Sequence, residues 1–524
     1  MEVKSGYHFD PALLPLLEEL GAPKAVTETS DPTRIREFLR PRIAPSMQFR
    51  LDAPDHRRRF IIADPVARRS GISATASLNA AGRVLSGHEA RSSRRLATSV
   101  FTLTTLESEV IRQHYPDLRV QEDYPCVLAS LAHFGGLREN AYSSATARTS
   151  DVQVINEQGE PVEAMVTVKL SSGRSFTVRT DPTTGKGTLS VPHQHTTAQS
   201  LQVHARAGYW PGCQEPHPLT EAFVIQLKAL PAIPPALRAH AIGGVSGSRC
   251  TGDSVKVGVI DSGFGDHPNL VAEAAENFTS DVPEAVHDAS GHGTHVAGII
   301  GARGEPFAGY APGCNLYNLR AFDDAQSSVA VVSDALRRAV ELQLDVVNMS
   351  FTVVAQTLDD ERELREMVEA AYQAGIVTVS AVGNDYFGVV GAPAVYPRTM
   401  GVASMAEFDQ ADAGQYPKSY RTSSPSTQYY TPSFSNVGPQ VDFAAPGIGI
   451  VSTVPGGFAA MSGTSMSAPH VSGLAALILE KHRLTGDLPA KGPARVDFVR
   501  VELERLCRSL GLGVDYQGQG MPLL

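Results

Sequence analysis

Downstream of residue 231 the hydrophobic positions fall into short continuous runs, separated by longer segments with helical spacing. VKVGVI (255–260), NLYNLRAF (315–322), LDVVNMS (344–350) and GIVTVSAV (375–382) read as buried strands. HVAGIIGA, SDALRRAVEL and LREMVEAAYQAG carry apolar residues at helical spacing between them. Strands alternating with helices predict an α/β fold with a parallel sheet covered on both faces. The last long helix opens near Ser465, within GTSMSAPHVSG (463–473), and runs into the apolar LAALIL (474–479). Pro469 suits the first turn of that helix, where a missing N–H costs little.

Upstream the pattern changes. Residues 151–230 alternate apolar and polar positions between turns bearing Gly and Pro; LQVHARAGYW and FVIQLKAL continue the alternation. Short strands at this spacing predict a small antiparallel β-sandwich. It holds no cluster of catalytic residue types, which favours a binding or spacer role. PAIPP, from Pro231, predicts a linker over 231–245. Residues 1–149 are uneven: Leu13–Leu20 is helical in pattern, RRFIIADP from Arg58 reads as a strand, and SVFTLT, LESEVIRQHY and RVQEDY predict strand, helix and strand. Thr105 with Ser108 and Glu109 marks the expected helix start. The chain therefore divides into a small α+β domain (1–149), an all-β sandwich (150–230), a linker (231–245) and an α/β domain (246–524).

Composition narrows the partners. The net charge is −10, with no basic tract, which argues against nucleic acid. No apolar run is long enough to span a membrane. The N-terminal segment MEVKSGYHFDPALLPLLEEL carries acids and no signal-peptide core, so a cytoplasmic location is expected. Five cysteines without a CxxC suit reduced thiols.

Four polar residues stand at junctions of the α/β segment. Asp261 follows VKVGVI, His292 opens a helix, Asn384 follows GIVTVSAVG and Ser465 opens the long helix. Sites in parallel sheets form at the carboxyl ends of strands. Singly, each has a plain structural explanation as a cap, turn or tight-loop residue. Together, VGVIDSG, SGHGTHVAG, VSAVGND and SGTSMSAPHVSG, in that order, resemble the aspartate, histidine, oxyanion-asparagine and serine motifs of the subtilisin-like serine proteases, the subtilases. FSNVGPQVDFAAPG, from Phe434, resembles the segment leading to the serine. The resemblance covers residues 250–520. It implies a serine endopeptidase: Ser465 as nucleophile, His292 as general base and acid, Asp261 as its orienter, and Asn384 with the Ser465 N–H as oxyanion donors.

The same resemblance implies the substrate-binding residues. Ser350, Phe351 and Thr352 would pair with substrate and line the first specificity pocket. Ser380, Ala381, Val382 and Gly383 would form the opposite wall, with Gly391 at the base. The family commonly has glycine where Thr352 stands, which narrows the pocket. No metal or cofactor is expected. HGTH lacks the HExxH glutamate, so His295 reads as packed structure. The segment GARGEPFAGYAPG is too short, with Glu305 as its one carboxylate, for a calcium ion that needs six to eight oxygens.

In this light the strand–helix–strand ending at Tyr124 resembles the inhibitory propeptide of the family, and residues 151–230 resemble a carboxypeptidase-regulatory type of sandwich. The expected protein is an endopeptidase acting on protein or peptide substrates, with its own N-terminal domain as intramolecular inhibitor, the tail after Tyr124 in the cleft, and the sandwich as a handle for a protein partner. The position of the sandwich leaves two arrangements open: the front half remains attached, or cleavage near residues 125–150 leaves the sandwich on the enzyme. The alternative is a silent or blocked subtilase fold that binds partners through residues 1–230.

Overall fold

In the computed structural model the apolar runs beyond residue 255 lie side by side as strands of one sheet. The structure describes residues 9–27, 31–43, 57–63, 76–85, 89–93, 98–129, 147–171, 175–192, 195–231, 248–280, 282, 284–305, 307–323, 325–354, 362–408, 421–426 and 428–524. They fall into two units: the residues up to Pro125 with Ser328–Ala330 and Arg362, and the remainder from Cys126 onward.

The second unit holds the sheet. Its order is Ala272–Asn277, Asn315–Arg320, Lys256–Asp261, Val346–Met349, Val377–Ala381, Thr399–Glu407 and Tyr429–Tyr430, with Phe443–Pro446 also beside Thr399–Glu407. All pairings are parallel except that of Tyr429–Tyr430. Helix Thr464–Thr485 packs across the central strands and against helix His292–Gly301. Every residue from Thr464 to Glu480 is buried, which explains why LAALIL carries no amphipathic stripe. It is not the last long helix, since Pro493–Arg505 follows.

The position of Pro469 differs from expectation. The helix starts at Thr464, so Pro469 is its sixth residue and lies inside it. Proline there cannot donate to the carbonyl four residues back, which is that of Ser465. The Ser350 hydroxyl takes over and donates to that carbonyl at 3.0 Å.

The sandwich belongs to the same unit as the sheet. One layer runs Gly212–Gln214, Ser200–Ala205, Ala164–Lys169, Ser175–Arg179, and the other Ala222–Leu227, Ala147–Asn156, Lys186–Pro192. The layers enclose Val152, Val154, Val166, Val168, Leu189 and Leu201. One pairing is not antiparallel: Ala222–Leu227 runs parallel to Ala147–Asn156, because the chain crosses to the other layer before it returns. Trp210 leaves the sandwich and packs with Phe307, Phe434, Ile448 and Phe458. The Gly208 N–H donates to the Phe458 carbonyl at 2.7 Å. Of the expected linker, residues 232–245 lie outside the described residues.

The first unit is a four-stranded antiparallel sheet in the order Glu89–Ser93, Thr98–Leu103, Arg58–Ala63, Arg119–Glu122. Helix Thr105–His114 packs on it through Leu106, Val110 and Ile111, with Phe60, Ile62 and Phe101 beneath. The cap lies one residue earlier than expected. Thr104 keeps an extended backbone, accepts the Glu107 N–H at 3.2 Å, and its own N–H is accepted by the Glu107 carboxylate at 2.8 Å. Ser108 and Glu109 bond instead to the Thr105 carbonyl and to Arg112. After the last strand, Asp123 accepts the Ala330 N–H at 2.9 Å and the Tyr124 carbonyl accepts that of Val329 at 2.9 Å.

Candidate active site

Asp261 ends its strand and His292 opens its helix, and the topology brings the two together. His292 Nδ1 lies 2.7 Å from Asp261 Oδ1, with both side chains fully buried. The approach is possible because the residue after His292 is glycine. A Cβ on Gly293 would meet the Gly263 carbonyl at 2.3 Å and the Asp261 Cβ at 3.2 Å. Asp261 Oδ1 also accepts the Ser262 N–H at 2.7 Å, which fixes the carboxylate in place.

The first turn of the histidine helix has its own buried anchor. Asp288 accepts the N–H groups of Ser290 and Gly291 through Oδ1 and that of Thr294 through Oδ2. The hydroxyls of Ser262, Ser290 and Thr294 also donate to it. Ser290 and Ser262 hydroxyls accept the N–H groups of His292 and Gly293. The free donors of the helix N-terminus are thus satisfied by buried oxygen atoms. Sequence reading missed Asp288 and Ser262. The signal was there: an acidic residue four positions before His292, with Ser290 two positions after it, at a helix start.

His295, one turn on, is structural. Its Nε2 sits 2.8 Å from the Ile450 carbonyl and 3.1 Å from that of Ala459, tying the helix to the hairpin Ile450–Val454/Gly457–Met461. Burial, with His292 nearby, pushes its pKa down to about 3, so it is neutral. Among the described residues, no group of three or more His, Cys, Asp or Glu gathers as a metal site.

Ser465 is the second residue of its helix and fully buried. Its hydroxyl donates to the Ser350 carbonyl at 2.9 Å. Asn384 is held through its carbonyl oxygen, which accepts the Thr464 N–H at 3.1 Å and the Thr464 hydroxyl at 3.0 Å. Its Nδ2 is buried and has no partner among the described residues, which leaves it available as a donor. The loop behind it is clamped by Asn436, also missed in the sequence: Nδ2 donates to Val389 and Asp385, and Oδ1 accepts the Asp385 N–H at 2.7 Å.

The other expected substrate-binding residues separate. Phe351 and Thr352 lie on the short strand Phe351–Val353. Gly383 and Gly391 face the Thr352 side chain. Ser380 is buried with its hydroxyl on the Met349 carbonyl at 3.0 Å. Ala381 packs in the central core, and Val382 packs with Val390 and Ala394.

A second short strand of the chain lies against Phe351–Val353. Cys126, Val127 and Leu128 pair antiparallel with Val353, Thr352 and Phe351. The Ala129 N–H donates to the Ser350 carbonyl at 3.1 Å, and the Ala129 carbonyl accepts the Ser465 N–H at 2.9 Å.

Residues 252–488 match the profile of the subtilase family. Over 241 residues, 44% of this chain, the sequence is 36% identical to subtilisin NAT of Bacillus subtilis subsp. natto and to subtilisin E of Bacillus subtilis (strain 168). The alignment spans 57% of the length of each of those two proteins. A subtilisin of Bacillus pumilus is 36% identical over 241 residues, with 79% of its length covered.

Proposed function

Because the chain belongs to the subtilase family, we propose that it is a serine endopeptidase with Ser465 as nucleophile, held latent by its own residues 126–129. One observation carries this reading: the Ala129 carbonyl lies on the backbone N–H of Ser465, where an acyl group would form. In catalysis the Ser465 hydroxyl turns to His292, which takes its proton as Oγ attacks the scissile carbonyl. Asp261, 2.7 Å from Nδ1, fixes the tautomer and stabilises the imidazolium. The Ser465 N–H and Asn384 Nδ2 receive the oxyanion, each donor contributing ~3 kcal/mol. His292 then gives the proton to the leaving amine, and water repeats the sequence on the ester.

Residues 1–149 serve in this reading as the intramolecular inhibitor. The tail in the cleft continues directly from the strand Arg119–Glu122, and tethering gives it a high effective concentration. The sandwich, packed through Trp210 within the peptidase unit, stays with the enzyme and offers its outer surface to a protein partner. The buried Asp261–His292 pair and the bonds of Asn384 to Thr464, next to Ser465, favour catalysis over a silent binding fold. The test is labelling by a fluorophosphonate and hydrolysis of casein, each compared with Ser465→Ala. Equal behaviour of the two proteins would overturn the proposal.

A further inference from the structure

Thr352 occupies the space between Gly383 and Gly391, the residues that the family resemblance assigns to the wall and base of the first specificity pocket. A Cβ placed on Gly391 would meet Thr352 Cγ2 at 3.0 Å and Thr352 Cβ at 3.2 Å; one on Gly383 would meet Cγ2 at 3.1 Å. These separations are shorter than ordinary contact, so not even a methyl group fits there without displacement. Thr352 cannot swing away freely. It lies in the middle of the strand Phe351–Val353, is 8% exposed, and a β-branched side chain has few rotamers. Ala129, the residue whose carbonyl sits on the Ser465 N–H, is itself 3% exposed and carries only a methyl.

From this geometry, resting on the peptidase reading above, we infer that Thr352 restricts the enzyme to bonds that follow a small residue, and that the bond after Ala129 is its first substrate. Ser465 Oγ bonds to the Ala129 carbonyl carbon, and the bond from that carbon to the following nitrogen breaks. The Oγ proton passes through His292 to that nitrogen, which leaves as an amine. Water then adds to the ester, releasing the Ala129 carboxylate and restoring Ser465. Cleavage here separates residues 1–129 and leaves the sandwich joined to the peptidase. Beyond the small residue, substrate would lie as residues 126–128 do, with an apolar side chain where Leu128, 4% exposed, faces Phe351.

The experiment is intact mass, over time, of the full-length wild type, Ser465→Ala, Ala129→Phe, and Ala129→Phe combined with Thr352→Gly. Wild type should yield two fragments divided after residue 129, and Ser465→Ala none. Ala129→Phe should be cut on the order of 100-fold more slowly. Adding Thr352→Gly should restore cleavage at that bond. Cleavage of Ala129→Phe at the wild-type rate would overturn the role of Thr352, as would a folded double variant no faster than the single one. If the double variant melts well below wild type, wild-type hydrolysis of Val-Leu-Ala against Val-Leu-Phe p-nitroanilide decides. Preference for Ala supports the inference, and equal or better cleavage of Phe overturns it. Wild type that hydrolyses peptides and is labelled by fluorophosphonate, yet is never cut after residue 129, would refute this inference alone. Wild type that stays whole and unlabelled would refute the peptidase reading and this inference with it.

Discussion

Ser350 and Ser465 exchange hydrogen bonds: the Ser350 hydroxyl donates to the Ser465 carbonyl at 3.0 Å, and the Ser465 hydroxyl donates to the Ser350 carbonyl at 2.9 Å. The first bond replaces the one that Pro469 cannot supply within the helix. The second holds the Ser465 hydroxyl, while the Ser465 N–H donates to the Ala129 carbonyl. Ser350→Ala leaves the Ser465 carbonyl without its donor, at a cost of about 1–3 kcal/mol. The expected result is a lower Tm and a slower acylation step. An unchanged Tm in a thermal melt would show that water or backbone adjustment replaces the bond.

Asp261→Asn preserves the shape of the side chain and removes the charge that holds the His292 tautomer. A fall in kcat on the order of 10⁴ is expected, read from hydrolysis of a peptide anilide. Activity within a few-fold of wild type would exclude His292 as the base oriented by Asp261.

Asn384→Ala removes the side-chain oxyanion donor of the proposed mechanism. Its Nδ2 makes no bond among the described residues, whereas its Oδ1 accepts the Thr464 N–H and hydroxyl, so the kinetics are read only once a thermal melt shows the variant folded as wild type. The expectation is a kcat lower by ~10²–10³ with little change in KM. A change confined to KM would assign Asn384 to substrate binding.

Leu128→Asp tests the hold of the tail. Leu128 is 4% exposed and lies opposite Phe351. A carboxylate there has lost its water without a paired charge, an unfavourable exchange. The intact variant should react with a fluorophosphonate faster than intact wild type. Equal labelling rates would mean that the tail does not limit access to Ser465.

His295 makes the fold sensitive to acid. Its folded pKa is pushed down to about 3 by burial, whereas an unfolded histidine titrates near ~6.5. The unfolded chain therefore binds a proton that the folded one refuses as pH falls below ~6.5, at up to ~1.4 kcal/mol per pH unit. Stability is full above that range and declines toward pH 3. Tm measured from pH 7 to 4 should fall more steeply for wild type than for His295→Gln. Parallel curves would point to other groups.

Local order reveals much of this protein. The runs VKVGVI, NLYNLRAF, LDVVNMS and GIVTVSAV become neighbouring strands because mostly apolar segments of this length suit a sheet covered on both faces. Asp261, His292, Asn384 and Ser465 are legible since strand ends and helix starts are marked by local chemistry. Pro469 was misplaced because its tolerance inside the helix depends on Ser350, 119 positions earlier in the sequence. Asp288 and Asn436 escaped notice because a buried carboxylate or amide gains its role from the backbone groups folded around it. The tertiary structure alone brings Ala129 onto Ser465 and Thr352 between Gly383 and Gly391. Periodicity reports which element a residue joins. Contacts across hundreds of residues arise only when the elements pack, and in this chain they join Ala129 to Ser465 and set Thr352 against Gly383 and Gly391.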